Sequence, residues 1–236
     1  MIPNDEVTQE FESPPLRQGD GDWAGNGGIS LSELLVSGRI DLNSFFNLAI
    51  RLSTILAELH RQNTIHRNLN PRGILCNPAT GEVRLADFSL AVKAVDEIQD
   101  AIPRHLLHDI LAYASPELTG RMNRATDYRT DFYSLGVTFY ELLTGRLPFY
   151  SADALELIHW HIAKIPTAPA DLDPKIPEPL SRIVMKLLAK TAEDRYQSAA
   201  GLRADLEVCA REWTANGRIA AFELGQRDVS DRFLIP

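Results

Sequence analysis

Side chains that could take part in chemistry are concentrated in two stretches of the chain, IHRNLNPRGIL and EVRLADFSLA. The second stretch contains Asp87, a carboxylate of the kind that binds Mg²⁺. The first contains Asn68 and Asn70, whose amides could orient a hydroxyl group or a nucleotide but cannot accept a proton as a carboxylate base does. The alternative is that Asp87 is simply solvated and that both amides only stabilise a loop. His66 could likewise be a pH switch or pack structurally.

Composition and spacing disfavour several other kinds of chemistry. The net charge of −8 argues against nucleic-acid partners and against an anionic membrane surface, because both need clustered Lys and Arg. Cys76 and Cys209 are far apart and have no neighbouring His or Cys, which disfavours zinc binding and a disulfide framework. There is no GxSxG sequence for a serine hydrolase. The spacing of His159 and His161 puts their rings on different faces of a helix.

The N-terminal sequence MIPNDEVTQEFESPP is acidic and has no apolar stretch, unlike a secretory signal. No segment approaches the ~18 apolar residues that a membrane span needs. These observations predict a cytoplasmic protein without membrane attachment.

Helices and one hairpin must position the two polar stretches. The sequence SLSELLV predicts a short helix. In DLNSFFNLAIRLSTILAELHRQ, apolar residues recur at helical spacing, and Asp41 or Asn43 can cap the start. The runs ILC (74–76) and VRL (83–85) flank the turn-forming sequence NPATGE and predict a β-hairpin.

The second half of the chain is predicted to be helical. DFYSLGVTFYELLTG is apolar on most sides and predicts a buried helix that begins at a capping Asp131 and ends at Gly145. Three further segments have apolar residues at helical spacing, and Ser198 begins the last of them. The predicted fold class is therefore mainly α with a small β-hairpin.

Regions without periodicity divide the chain. Residues 1–28 are rich in Asp, Glu, Pro and Gly and predict a disordered acidic tail. Residues 29–214 form the predicted domain, and residues 215–236 a C-terminal linker. Within the domain, residues 90–112 predict a long loop, which is often a functional feature.

The two polar stretches resemble the catalytic loop and the metal-binding loop of protein kinases, which follow the patterns HRDLxxxN and DFG. Downstream, YASPEL resembles the Ala-Pro-Glu motif, and DFYSLGVTFYELLTGRLPF resembles the buried helix that follows it. DRYQSA resembles the segment whose arginine pairs with the Glu of that motif. Order and spacing agree from about Gly28 to Trp213. The chain is therefore similar to the C-terminal lobe of a Ser/Thr protein kinase domain.

The resemblance implies a role for each residue of the site. Asn68 occupies the position of the catalytic-base Asp, whose loss typically costs ~10²–10⁴ in rate. Asn70 replaces a Lys that would neutralise phosphate charge, and Gly73 replaces the Asn that would bind a second metal ion. Asp87 remains as a ligand for Mg²⁺ and the nucleotide.

The resemblance also implies structural roles for five residues. His66 and Arg67 pack within the catalytic loop, and Asp131 braces that loop through backbone contacts. Glu117 of the Ala-Pro-Glu-like motif and Arg195 form an ion pair.

In this family, ATP and Mg²⁺ lie between two lobes, and a Gly-rich loop and a Lys belong to the first lobe. The sequence contains no GxGxxG followed by a VAIK-like strand. We therefore predict that the N-terminal lobe is absent. Binding of ATP and Mg²⁺, which the resemblance implies, is expected to be weak in this chain.

The finer resemblance is to kinase-like modules at the N-terminus of large bacterial signalling proteins, in which an ATPase region and sensor or histidine-kinase domains follow. TGRMNRATDYRTDFYSLGVTFYELLTG and LAKTAEDRYQSAAGL are similar to segments of those modules. RDVSDRFLIP resembles the linker that leads into their ATPase region.

Three hypotheses for function follow. The chain is a pseudokinase-type module that binds a protein partner, with Leu75, Leu85 and Phe88 as candidates for an exposed apolar surface. Alternatively, it is part of an active Ser/Thr kinase that a separate N-terminal lobe completes, or it is a decayed gene fragment.

Overall fold

The computed structural model describes residues 28–38, 40–93, 110–121 and 126–230. These residues form seven α-helices, two short 3₁₀ turns and two small antiparallel sheets. The predicted class, mainly α with a small β-hairpin, is confirmed. The elements are β1 (Ile29–Ser30), α1 (Leu31–Ser37), α2 (Leu42–Arg61), β2 (Thr64–Ile65), β3 (Ile74–Cys76), β4 (Val83–Leu85), β5 (Val92–Lys93), 3₁₀ turns at Pro116–Thr119 and Ala192–Asp194, α3 (Arg129–Thr144), α4 (Ala154–Ala163), α5 (Pro169–Leu172), α6 (Glu178–Leu187) and α7 (Ala199–Asn216).

Helix α2 is the longest helix of the described residues, and its start agrees with the prediction. The Asp41 carboxylate accepts hydrogen bonds from the backbone N–H groups of Asn43 and Ser44, which satisfies free donors of the first turn. The apolar face buries Phe45, Leu52 and other residues in the main core. That face packs most extensively against α7.

Helix α3 is buried on nearly all sides and ends at Gly145, as predicted. Gly145 has a φ of 73°, in the left-handed region that favours glycine at a helix end. Gly136 lets α3 approach α6 closely, since an added Cβ would lie 2.7 Å from the Leu187 Cβ. The central helix is therefore fixed in the middle of the core, where its first turn reaches the polar loops.

The two sheets bring the polar stretches to one edge. The predicted hairpin β3–β4 is present, with Ile74 opposite Leu85, and β1 adds a third strand beside β3. Strand β2 pairs with β5 in a second sheet. Strands β1, β2 and β5 have two residues each, which is too short to show a period of two in the sequence. The loop 66–73 joins β2 to β3, and the loop 86–91 joins β4 to β5.

The residues after α7 pack on the domain as far as residue 230. Ile219, Phe222 and Leu224 are half-buried against the main core. The predicted tail at residues 1–28 lies almost wholly outside the described residues, as do residues 94–109 of the predicted long loop. Among the helices that the structure describes, none is both long and apolar enough to cross a membrane.

Candidate active site

The loop 66–73 is buried along most of its length. Arg67 has a φ of 65°, a left-handed conformation that is unfavourable for a residue with a side chain. The backbone N–H of Arg67 donates to Asp131 Oδ1 over 2.8 Å, and that of His66 donates to Asp131 Oδ2 over 3.0 Å. One buried carboxylate therefore holds this strained turn in place.

Asp131 lies inside the first turn of α3 and is fully buried. The prediction that it caps this helix is wrong, because α3 begins at Arg129 with Tyr128 in the N-cap position. Its carboxylate is directed to the loop, where two backbone donors need an acceptor, and it also lies 2.8 Å from His60 Nε2. The geometry is that of the loop brace expected from the resemblance.

The two asparagines of the loop form a chain of hydrogen bonds with Asp87. Asn68 Nδ2 donates to Asp87 Oδ2 over 2.8 Å, and Asn70 Nδ2 donates to Asn68 Oδ1 over 2.9 Å. Asn70 Oδ1 accepts from the backbone N–H groups of Arg72 and Gly73 at 3.0 and 3.3 Å. The structure thus brings together the three polar residues singled out in the sequence. Both amides hold the loop together, and Asn68 presents no carboxylate that could accept a proton.

Asp87 follows β4 with a φ of 55°, and the residue is exposed. Its Oδ1 accepts a hydrogen bond from the Ser89 hydroxyl at 2.5 Å, and Oδ2 accepts the bond from Asn68. Each carboxylate oxygen therefore already has a protein donor.

Gly73 supplies no side-chain oxygen beside Asp87. Its φ is not in the left-handed region, and an added Cβ would lie 3.4 Å from the Ala86 carbonyl oxygen, an ordinary contact. The backbone would therefore accept a larger residue at this position. Mg²⁺ needs near-octahedral coordination by oxygen atoms. When Mg²⁺ binds together with a nucleotide, carboxylate or amide oxygens of the protein must supply part of that coordination. Among the described residues, no cluster of three His, Cys, Asp or Glu side chains could hold a metal ion. The donor set present does not fit a two-ion Mg-nucleotide site.

Glu117 and Arg195 form a buried ion pair behind the loops. Arg195 NH1 and NH2 donate to the two carboxylate oxygens of Glu117 at 2.7 and 2.9 Å. The remaining guanidinium donors bind the carbonyl oxygens of Ala189, Arg129 and Lys190. Burial acts to raise the pKa of Glu117, but the hydrogen bonds and charge of Arg195 outweigh it and hold that pKa below its usual value. The pair ties the turn at 116–119 to the segment after α6.

His66 joins the two loops. Its ring lies 4.7 Å from the Phe88 ring between centroids, and Nε2 lies 3.2 Å from the Ala86 carbonyl oxygen. Burial lowers the pKa of His66, so the ring is neutral near pH 7 and Nε2 can donate to that carbonyl. The apolar surface expected at Leu75, Leu85 and Phe88 is half-buried in the structure.

The loops open into a cleft of about 720 Å³. Asn68, Asn70 and Asp87 line it together with residues of α1, of the segment 110–113 and of the segment 147–151. Val36 and Tyr150 on its rim are 90% and 77% exposed, which places exposed apolar surface here.

An acidic group in this cleft was not predicted from the sequence. Glu141 is half-buried, and its Oε2 accepts a hydrogen bond of 2.6 Å from the Tyr113 hydroxyl. Burial raises the pKa of Glu141. Glu141 lies within an apolar helical segment, and Tyr113 lies next to the Ala-Pro-Glu-like motif. The two residues are far apart in the sequence, so their contact is visible only in the folded structure.

Comparison with known proteins finds relatives among the protein kinases. The family model of the protein kinase domain matches residues 26–206. A probable serine/threonine-protein kinase of Streptomyces coelicolor is 33% identical over 183 residues, which cover 77% of this chain and 27% of that protein. The serine/threonine-protein kinase PknB of Mycobacterium leprae is 35% identical over 147 residues, which cover 62% of this chain and 23% of that protein.

A hybrid signal transduction histidine kinase of Dictyostelium discoideum is 31% identical over an alignment of 295 residues, which covers 86% of this chain and 9% of that protein. The chain therefore spans between 9% and 27% of the length of these three relatives. The predicted resemblance to Ser/Thr protein kinases is confirmed. The chain belongs to the protein kinase domain family.

Proposed function

We propose that this chain is a Ser/Thr-kinase-like signalling module with little or no phosphotransfer activity, which acts by binding a protein partner. The observation that carries the proposal is the hydrogen bond from Asn68 Nδ2 to Asp87 Oδ2. In the role that the resemblance implies, Asn68 would be the proton acceptor and Asp87 the metal ligand; a bond between an amide donor and this carboxylate supports a loss of both functions. Loss of a general base lowers a rate by roughly 10²–10⁴.

The phosphate side of the site supports the same proposal. Asn70 provides no positive charge, and its amide oxygen is committed to the backbone of Arg72 and Gly73. Gly73 provides no metal ligand. Because such residues act as a unit, the rate losses from the separate replacements are not multiplied. Together, however, the replacements lower the affinity of the site for Mg-ATP.

The partner is a signalling protein or a separate N-terminal lobe. The cleft supports a protein partner because its rim exposes Val36 and Tyr150 beside the polar loops. Exposed apolar surface of this kind favours contacts with proteins.

A second candidate is part of an active Ser/Thr kinase that a separate lobe completes. It is favoured by the intact backbone of the catalytic loop, which Asp131 holds, and by the room for a side chain at Gly73. The amide at Asn68 weighs against efficient transfer in this candidate too. Titration with Mg-ATP measures nucleotide binding by the chain under either candidate.

Thermal unfolding in the presence of Mg-ATP tests the proposal. A ligand at 100 times its Kd stabilises a protein by about 2.7 kcal/mol, so binding is readily seen. We expect no shift of the melting temperature at millimolar Mg-ATP. The double variant Asn68→Asp with Gly73→Asn restores the proton acceptor and one metal ligand that the resemblance implies, and the added metal ligand should produce a shift. The exposed control Asn63→Asp should not. A clear shift for the unmodified chain contradicts the proposal.

The partner contact is tested separately with Tyr150→Ser. Capture of a binding protein by the immobilised chain should fall when the cleft rim is altered. Ile165→Ser is the matched control, because Ile165 is 79% exposed but does not line the cleft. Equal capture by both variants would place the contact elsewhere.

A further inference from the structure

The segment that follows α7 is bound to the domain by directed contacts. We name residues 217–230 the C-terminal strap. The chain turns at Gly217, which has a φ of 63°, and then runs back along the domain. The Gly225 N–H donates to Asp205 Oδ2 over 2.8 Å, and the Asp205 carboxylate also accepts from the Tyr196 hydroxyl. The strap is therefore anchored by polar groups of the domain in addition to its apolar contacts.

Asp228 is the strongest of these anchors. Its Oδ2 accepts from the backbone N–H of Gln197 at 2.8 Å, and its Oδ1 accepts from the backbone N–H and hydroxyl of Ser198 at 2.8 and 2.9 Å. The domain is shaped for this contact at Gly201, where an added Cβ would lie 2.4 Å from Asp228 Oδ1. Any larger residue at this position would push the strap away.

Gln197 connects Asp228 to the start of α3. Its backbone carbonyl accepts from the Tyr128 hydroxyl at 2.7 Å, and its Oε1 accepts from Arg129 NH1 at 2.8 Å. The Tyr128 ring packs against His60, with 5.3 Å between centroids. His60 in turn contacts Asp131. A continuous set of contacts therefore leads from the strap to the carboxylate that holds the catalytic loop.

We infer that the C-terminal strap is a conformational input to the catalytic loop: displacement of Asp228 from Gln197 loosens the start of α3 and, through Asp131, the backbone at His66 and Arg67. This goes beyond the proposed function and does not depend on it, since the coupling exists whether or not the loop transfers phosphate. A protein that binds or pulls the strap would thereby change the shape of the cleft.

Hydrogen exchange of the full chain tests the coupling. Asp228→Asn keeps an oxygen for Ser198 but removes a charged acceptor from Gln197. Exchange of the amides of His66 and Arg67 should become about tenfold faster, as expected for loss of one hydrogen bond to a charged group. Glu223→Gln, an exposed change in the same strap, is the matched control and should leave these rates unchanged.

Tyr128→Phe removes the next link and gives the second measurement. It should speed exchange at the loop, and by reciprocity it should also speed exchange of the strap amides of Gly225 and Asp228. In the double variant with Asp228→Asn, the loop amides should exchange no faster than in either single variant. Both substitutions interrupt the same series of contacts, so the second adds nothing to the first. If Asp228→Asn does not fold, the exchange rates of the strap amides in Tyr128→Phe test the inference, and unchanged rates would contradict it.

Three outcomes would overturn the inference. Faster exchange confined to 197–201 would make Asp228 a local cap of α7. An equal increase in the distant helix α4 would show general destabilisation. Additive effects in the double variant would show that the two contacts are independent.

Discussion

The bracing region behind the loops differs sharply from the edge of the cleft, which consists of Asn68, Gly73 and Asp87. In the bracing region, Glu117, Asp131 and Arg195 are buried, and their charged groups are matched by hydrogen bonds. At the edge, the buried Asn68 amide donates to the exposed Asp87 carboxylate, and Gly73 has no side-chain donor or acceptor.

The frame of this site and its cleft-facing groups are held by different forces. A buried charge that loses its partner is left with a large desolvation cost, so the bracing residues are difficult to change singly. The Asn68 side chain is buried as well, but its partner Asp87 is exposed, so water can take over the hydrogen bond of that carboxylate when Asn68 is replaced.

The largest effect is expected when the bracing ion pair is broken. Arg195→Met leaves the Glu117 carboxylate buried without its partner and should lower the free energy of unfolding by about 3–5 kcal/mol. Urea denaturation measures the loss. The surface pair of Arg61 and Glu58, 73% and 51% exposed, is the control, and Arg61→Met should leave stability nearly unchanged because solvent screens an exposed pair. Similar losses for both variants would remove the contrast.

The pH dependence of stability should also come from the buried region. His161 is fully buried, its Nδ1 lies 2.9 Å from the Tyr133 hydroxyl, and burial lowers its pKa to about 3. Between that value and the unfolded pKa of about 6.5, the unfolded chain binds more protons, so stability falls as the pH falls. The loss should reach about 2 kcal/mol at pH 5.

His161→Gln should flatten this slope, as followed by urea denaturation between pH 7 and pH 5. His159→Gln on the same helix is the control, because His159 is exposed, and it should leave the slope unchanged. An unchanged slope in His161→Gln would assign the pH dependence to other groups.

The smallest effect is expected at the edge. Asn68→Asp removes the donor to Asp87 and places two carboxylates together. Because Asn68 is buried but Asp87 is exposed, stability should fall by about 1–2 kcal/mol at pH 7, less than in Arg195→Met. Urea denaturation at pH 7 measures it, with Asn63→Asp as control. A deficit as large as that of Arg195→Met would contradict the assignment of Asn68 to the edge.

Local signals in the sequence predicted much of the fold. Asp41 and Ser198 occupy the N-cap positions expected of them, and the hairpin lies at the predicted residues. These features depend on neighbours a few residues away, so composition and spacing are sufficient to find them.

Features that depend on distant residues were not predictable in this way. Asp131 looks like a cap from its position before an apolar run, but its carboxylate is required by the loop at 66–67. Glu141 and Tyr113 meet only in the folded domain. The strap lacks periodicity because its contacts are individual hydrogen bonds, such as those of Asp228, and not a regular apolar face.

Transfer of labelled γ-phosphate from ATP tests the central claim most directly. Purified chain, incubated with Mg-ATP and a protein acceptor, should transfer little or no phosphate to itself or to the acceptor, because Asn68 cannot accept the proton of the attacking hydroxyl. Transfer by the unmodified chain at the rate typical of kinases, about 1–100 s⁻¹, that disappears in Asp87→Asn would contradict the account.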